Sequence, residues 1–179
     1  MQRLQKKLLL WSYETRERYD HELMQEELQD ICDVYNADIK IIHFANEPEI
    51  IGNNCFSFAM DLKPYTFDLP PYKWLAPSQW QVMKWIQNGF IIEDPEGVLM
   101  TYWEEDCIAH MGTIQDGIVT SKWGKAHVLQ HPVFAAPYGN DLKRYTIVNQ
   151  TNFVNQWNEI AKVLIEQIHN NKRIPKHAW

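Results

Sequence analysis

From its first residues the chain sets side chains at helical spacing. Leu4, Leu8, Trp11, Thr15 and Tyr19 fall on one face, followed by Leu28, Ile31 and Tyr35, and no Gly or Pro occurs before residue 36. The pattern predicts one long helix or two over residues 2–35. The apolar register changes at Asp20, whose short side chain suits the N-cap of a second helix. Residues 39–44 (Ile39-Lys40-Ile41-Ile42-His43-Phe44) read as a strand or extended entry, closed by Asn46, Pro48 and Gly52. Asn53 to Met60 then reads as the first turns of a buried helix capped by Asn53 or Asn54. Proline dominates from Pro64 to Pro77, which predicts a loop carrying Trp74 and several tyrosines. Ser78-Gln79-Trp80 opens another helix, ended by Asn88-Gly89.

Beyond Pro95 and Gly97 the period changes to that of strands, over residues 98–103, 108–115 and 118–123, with further strands at 128–134 and 143–148. Asp116-Gly117 joins the second and third of these. Both residues tolerate positive φ, so the pair predicts a two-residue hairpin turn in which Gln115 faces Ile118, Ile114 faces Val119, Thr113 faces Thr120 and Gly112 faces Ser121. The chain closes on an amphipathic helix over 151–168, with Phe153, Trp157, Ile160, Ala161, Leu164 and Ile168 on one face. Helices, an antiparallel meander and a last helix make an α+β protein. The expected division is a helical arm at 1–38 and a domain at 39–179.

Composition narrows the function classes. The 179 residues suit one domain, large enough to fold without disulfides or a structural metal. With 17 Lys+Arg against 23 Asp+Glu, the net charge of -6 argues against a nucleic-acid binder that works by phosphate neutralisation. No apolar run approaches the roughly 18 residues of a membrane span. Arg3, Lys6 and Lys7 ahead of Leu8-Leu9-Leu10-Trp11 imitate a signal peptide, but the apolar run is too short, so the expected compartment on synthesis is the cytoplasm. Cys32, Cys55 and Cys107 are odd in number and lack CxxC spacing, which fits free thiols. Eight Trp and eight Tyr imply an aromatic-rich core, or rings lining a cleft or partner surface, with Tyr65, Phe67, Tyr72, Trp74 and Trp80 clustered in sequence.

The candidate chemistry centres on Cys55. A thiol becomes a nucleophile when a helix N-terminus and an imidazole lower its pKa. Cys55 stands at a predicted helix start, His110 on a strand from which it could face that helix, and the hairpin register sets Ser121 on the face of His110 and Gly112. Ser121 is the expected orienter of the imidazole, with Lys122 or His127 in its place should the turn be longer. Asn-Asn-Cys-Phe-Ser-Phe-Ala (residues 53–59) followed by Ile-Ala-His-Met-Gly-Thr-Ile-Gln-Asp-Gly-Ile-Val-Thr-Ser-Lys-Trp-Gly (108–124) resembles the NlpC/P60 superfamily of papain-like cysteine peptidases. His131-Pro132 and Pro137-Tyr138-Gly139 are similar to the ends of divergent branches of that superfamily. The resemblance covers about residues 46–146. It departs from the usual pattern at Asn54, where an Asp is usual, and at Ser121, where a His is usual.

The resemblance implies a papain-like fold with the catalytic helix packed on an antiparallel sheet, and a cysteine peptidase or amidase that needs no metal or organic cofactor. In it Cys55 attacks an amide carbonyl, His110 accepts and returns the proton, and backbone N–H groups at the helix start hold the oxyanion. Substrates of the family are often cell-wall peptides, which a chain without a signal peptide would reach by lysis, injection or a particle. Two rival readings stand beside it. Cys107, His110, His127 and His131 have zinc-like spacing, although strand alternation sets 107 and 110 on opposite faces. Alternatively, a papain-like scaffold impaired in catalysis uses the helical arm to bind a protein partner.

Overall fold

A computed structural model describes residues 2–48, 52–69, 72–124, 126–139 and 141–170, with the backbone alone for 66–69 and 72–74. Helices α1 (Gln2–Thr15) and α2 (His21–Tyr35) come first, broken near Asp20 as the register change predicts. Arg18 holds Asp20 with paired bonds of 2.8 and 2.6 Å, so the Asp20 side chain does not cap α2. Strand β1 (Lys40–His43), the short α3 (Cys55–Ala59), the hairpin β2 (Tyr65–Leu69) and β3 (Tyr72–Leu75), and α4 (Gln79–Gln87) follow. Next come β4 (Ile91–Glu93), β5 (Leu99–Glu104), β6 (Cys107–Gln115), β7 (Ile118–Lys122), β8 (Val128–Pro132), β9 (Asp141–Ile147) and the closing α5 (Gln150–His169).

Seven strands form an antiparallel sheet in the order β1-β8-β7-β6-β5-β9-β4, and β2 pairs with β3 apart from it. The class is α+β. The Asp116-Gly117 turn has φ of 49° and 79°, and it pairs Gln115 with Ile118, Ile114 with Val119 and Thr113 with Thr120, as the sequence predicts. The β2–β3 hairpin replaces the predicted proline loop. Pro64 and Pro77 fall outside the two strands, where a missing N–H costs no ladder bond. Strand β4 was not foreseen, since three residues are too few to show a period.

Both faces of the sheet are covered. On one, Cys55 and Phe56 of α3, Val82 and Trp85 of α4, and Phe153 and Trp157 of α5 pack with Leu99 and Met111 of the sheet. On the other, Leu4, Leu8, Trp11, Met24 and Leu28 pack on Trp123 and Leu129. Helices α1 and α2 therefore pack as a layer on the sheet. Fully burying a side chain such as Leu8 or Met24 contributes about 1.5–3 kcal/mol, so this layer is held strongly.

Candidate active site

Cys55 is the first residue of α3, and Asn54 fixes that start. Its Oδ1 accepts from the Ser57 N–H at 2.9 Å, Ser57 Oγ accepts from the Asn54 N–H at 3.0 Å, and its Nδ2 donates to the Pro77 carbonyl at 2.7 Å. This reciprocal capping box ties the head of α3 to the segment that enters α4. The thiol itself is enclosed, with Cys55 only 7% exposed. Burial pushes it up to about 12, opposed by hydrogen bonds from the backbone at Met111, Phe56 and Cys55 and by the Lys122 cation.

Lys122, at the end of β7, is the charge that acts on this thiol. It is 2% exposed and donates from Nζ to the Ala126 carbonyl at 2.6 Å. Burial pushes its ammonium down to about 8, and Cys55 works against that shift. Burial thus favours the neutral form of both groups, the thiol above all.

His110 and Ser121 lie elsewhere. His110 pairs across strands with Tyr102, whereas its neighbour Met111 belongs to the core that holds Cys55. Side chains alternate along a strand, so His110 turns to the face opposite α3. Gly112 and Ser121 share that face with it, as the hairpin predicts, and a Cβ on Gly112 would lie 2.7 Å from Ser121 Cβ. Ladder pairing itself ends at Thr113 and Thr120, so Gly112 and Ser121 are close without being a bonded pair. The expected triad of Cys55, His110 and Ser121 is thus divided by the sheet.

On its own face His110 enters an aromatic box. Its ring stacks on Tyr138 at 4.1 Å and lies 5.5 Å from the ring of Tyr102, and its Nε2 has no partner among the described residues. Burial, with a lesser contribution from His131, holds its pKa well below the ordinary value. Ser121 orients His131 instead. His131 Nδ1 lies 2.9 Å from the Pro132 carbonyl, which can only accept, so Nδ1 carries the proton and Nε2 accepts from Ser121 Oγ at 2.9 Å. Trp123 Nε1 in turn donates to Ser121 Oγ at 3.0 Å. Burial lowers His131 to about 4. Tyr138 is half-buried, and its phenol is raised by desolvation and by Cys55.

His127 is engaged on a third front. Its Nδ1 accepts from the Ala45 N–H at 3.0 Å, while Nε2 meets Thr15 Oγ1 at 3.1 Å. The Thr15 hydroxyl proton goes to the Trp11 carbonyl at 2.7 Å, so His127 Nε2 is the donor. This histidine too is lowered to about 4 by burial. For Cys107 and His110 the alternation argument fails: a bulge between their strand and β5 puts Ile108 and Met111, three residues apart, in the same core. Among the described residues no group of three or more His, Cys, Asp or Glu is gathered to hold a metal ion. Phe67, Tyr72 and Trp74 lie outside the described side chains. Tyr65 packs towards Trp157 and bonds Asn158 at 2.6 Å, and Trp80 is exposed.

Lys122 was within reach of sequence reasoning only as a substitute for Ser121, and its signal is register: it lies one residue on, so it takes the other face. The chain matches no family model, no curated protein and no solved structure. No helix among the described residues is long and apolar enough to cross a membrane.

Proposed function

We propose that the chain is a papain-like cysteine hydrolase or acyl-transferase acting on amide or ester carbonyls, with Cys55 as nucleophile and Lys122, in place of His110, as its base. The observation that carries this reading is the burial of Cys55 and Lys122 together on one face of the sheet, each acting on the ionisation of the other. The neutral Lys122 amine takes the thiol proton, directly or through one water, after leaving the Ala126 carbonyl. The thiolate adds to the carbonyl carbon, and N–H groups at the start of α3 face the resulting oxyanion. As the C–N or C–O bond breaks, the Lys122 ammonium returns its proton to the leaving group, and water or an amine then releases the acyl group from sulfur. Short cell-wall peptides are the substrate class that the family resemblance suggests.

The enclosed thiol favours a second reading, a scaffold that has kept the fold and lost catalysis. Incubation with p-nitrophenyl acetate followed by peptide mapping separates the two. The hydrolase reading expects an acetyl adduct on Cys55 that is absent in Cys55→Ala and forms at least about tenfold more slowly in Lys122→Met. Acetylation confined to Cys107 or lysines, or a Cys55 rate indifferent to Lys122→Met, overturns it.

A further inference from the structure

The outer surface of the α1–α2 hairpin takes no part in the proposed chemistry, and its two helices carry opposite charge. On α1, Arg3, Lys6 and Lys7 are exposed, and none forms an ion pair among the described residues. They border a concavity of about 740 Å³ whose floor is Leu9, Leu10, Tyr13 and Tyr35. Leu10 is 52% and Tyr13 62% exposed, so this apolar floor is open. Arg16, one residue past the end of α1, lies 4.1 Å over the Tyr13 ring and adds a further cation at that end.

On α2, Glu22, Glu26, Asp30 and Asp33 recur at intervals of four, four and three, one exposed stripe on a single helical face. Arg18 engages Glu27 and Asp20, not this stripe. Val34, 76% exposed, sits beside its lower end. Several of these charges also oppose the helix dipoles, although Glu22 in the first turn of α2 follows its own. Cations crowd the N-terminal half of α1, and α2 has acids but no base towards its C-terminus. Each surface is therefore the complement of the other.

A twofold axis sets any two such neighbouring surfaces against each other twice, α1 on α2 and α2 on α1. We infer that this hairpin is a self-association surface: the basic, apolar-floored groove of α1 receives the acidic outer face of α2 from a second copy of the chain. The occupant is a second copy because the matching acids and an exposed valine are already present beside the groove. The inference stands apart from the Cys55 chemistry.

Sedimentation velocity on the full chain tests it through a charge exchange. Lys6→Glu with Lys7→Glu makes both helices acidic, and Asp30→Lys with Asp33→Lys brings positive charge to α2. Each double variant alone is expected to raise the dimer dissociation constant by at least about tenfold, with circular dichroism showing an intact fold. Mixed one to one, they are expected to form a heterodimer, because both contacts then join opposite charges. A wild-type chain that stays monomeric at about 100 μM overturns the inference, as does one that instead co-sediments with anionic vesicles. A dimer indifferent to both variants, or variants that fail to associate on mixing, overturns it equally.

Discussion

Ser121 has one hydroxyl proton and spends it on His131, while its lone pairs accept from Trp123. Replacing it with Ala leaves two buried nitrogens without partners, each at about 1–3 kcal/mol, so Ser121→Ala should destabilise the chain by roughly 2–6 kcal/mol in urea denaturation. His110 presents the reverse case. Among the described residues its Nε2 has no partner, so His110→Leu removes a buried unpaired polar atom, and stability should change by less than about 1 kcal/mol. Acylation of Cys55 should persist in that variant. Loss of acylation with an unchanged denaturation midpoint would return His110 to the chemistry and displace Lys122.

At the scale of elements, α3 is only five residues long, too short to persist without its cap and its packing. Asn54→Ala removes the acceptor for Ser57 and the bond to Pro77, so it should lower stability by about 1–2 kcal/mol and speed alkylation of Cys55 as the helix head loosens. Iodoacetamide labelling with site-resolved mass spectrometry checks this, and protection equal to wild type would contradict it. Much of this level was legible in sequence because the signals are local: Asn54 and Ser78 cap where their spacing says, and Asp116-Gly117 fixes register. The position of α3 was not, because parity says only which residues share a face. Which face a helix covers depends on the whole sheet, and α3 packs over Met111, not His110. Proline content likewise suggested a loop at 64–77, since composition cannot show that Pro64 and Pro77 flank the strands without entering them.

For the molecule as a whole, three buried histidines set a pH dependence. His127 and His131 are lowered from 6.5 to about 4, and His110 lies well below 6.5, all through burial. The unfolded chain therefore binds more protons than the folded one below pH 6.5, and stability is full above that value and declines as pH falls towards 4. Between pH 7 and pH 5 His127 and His131 each remove about 2 kcal/mol, and His110 acts in the same direction, against a typical total of about 5–15 kcal/mol. The held-down carboxylates act in a different window. Asp94 bonds Thr146, and Glu47 accepts from the Phe44 N–H, so both are lowered from 3.8 and 4.5 and their contributions fade only below those values. Urea midpoints should consequently drop between pH 7 and pH 5, before the carboxylates titrate. His131→Gln keeps a hydrogen-bonding side chain but no titrating group, so it should remove about 2 kcal/mol of the pH 7 to pH 5 loss while costing some stability at pH 7. A wild-type profile flat from pH 7 to pH 5 would mean that the histidines charge without unfolding the box, and that the packing around His110, His127 and His131 opens to water.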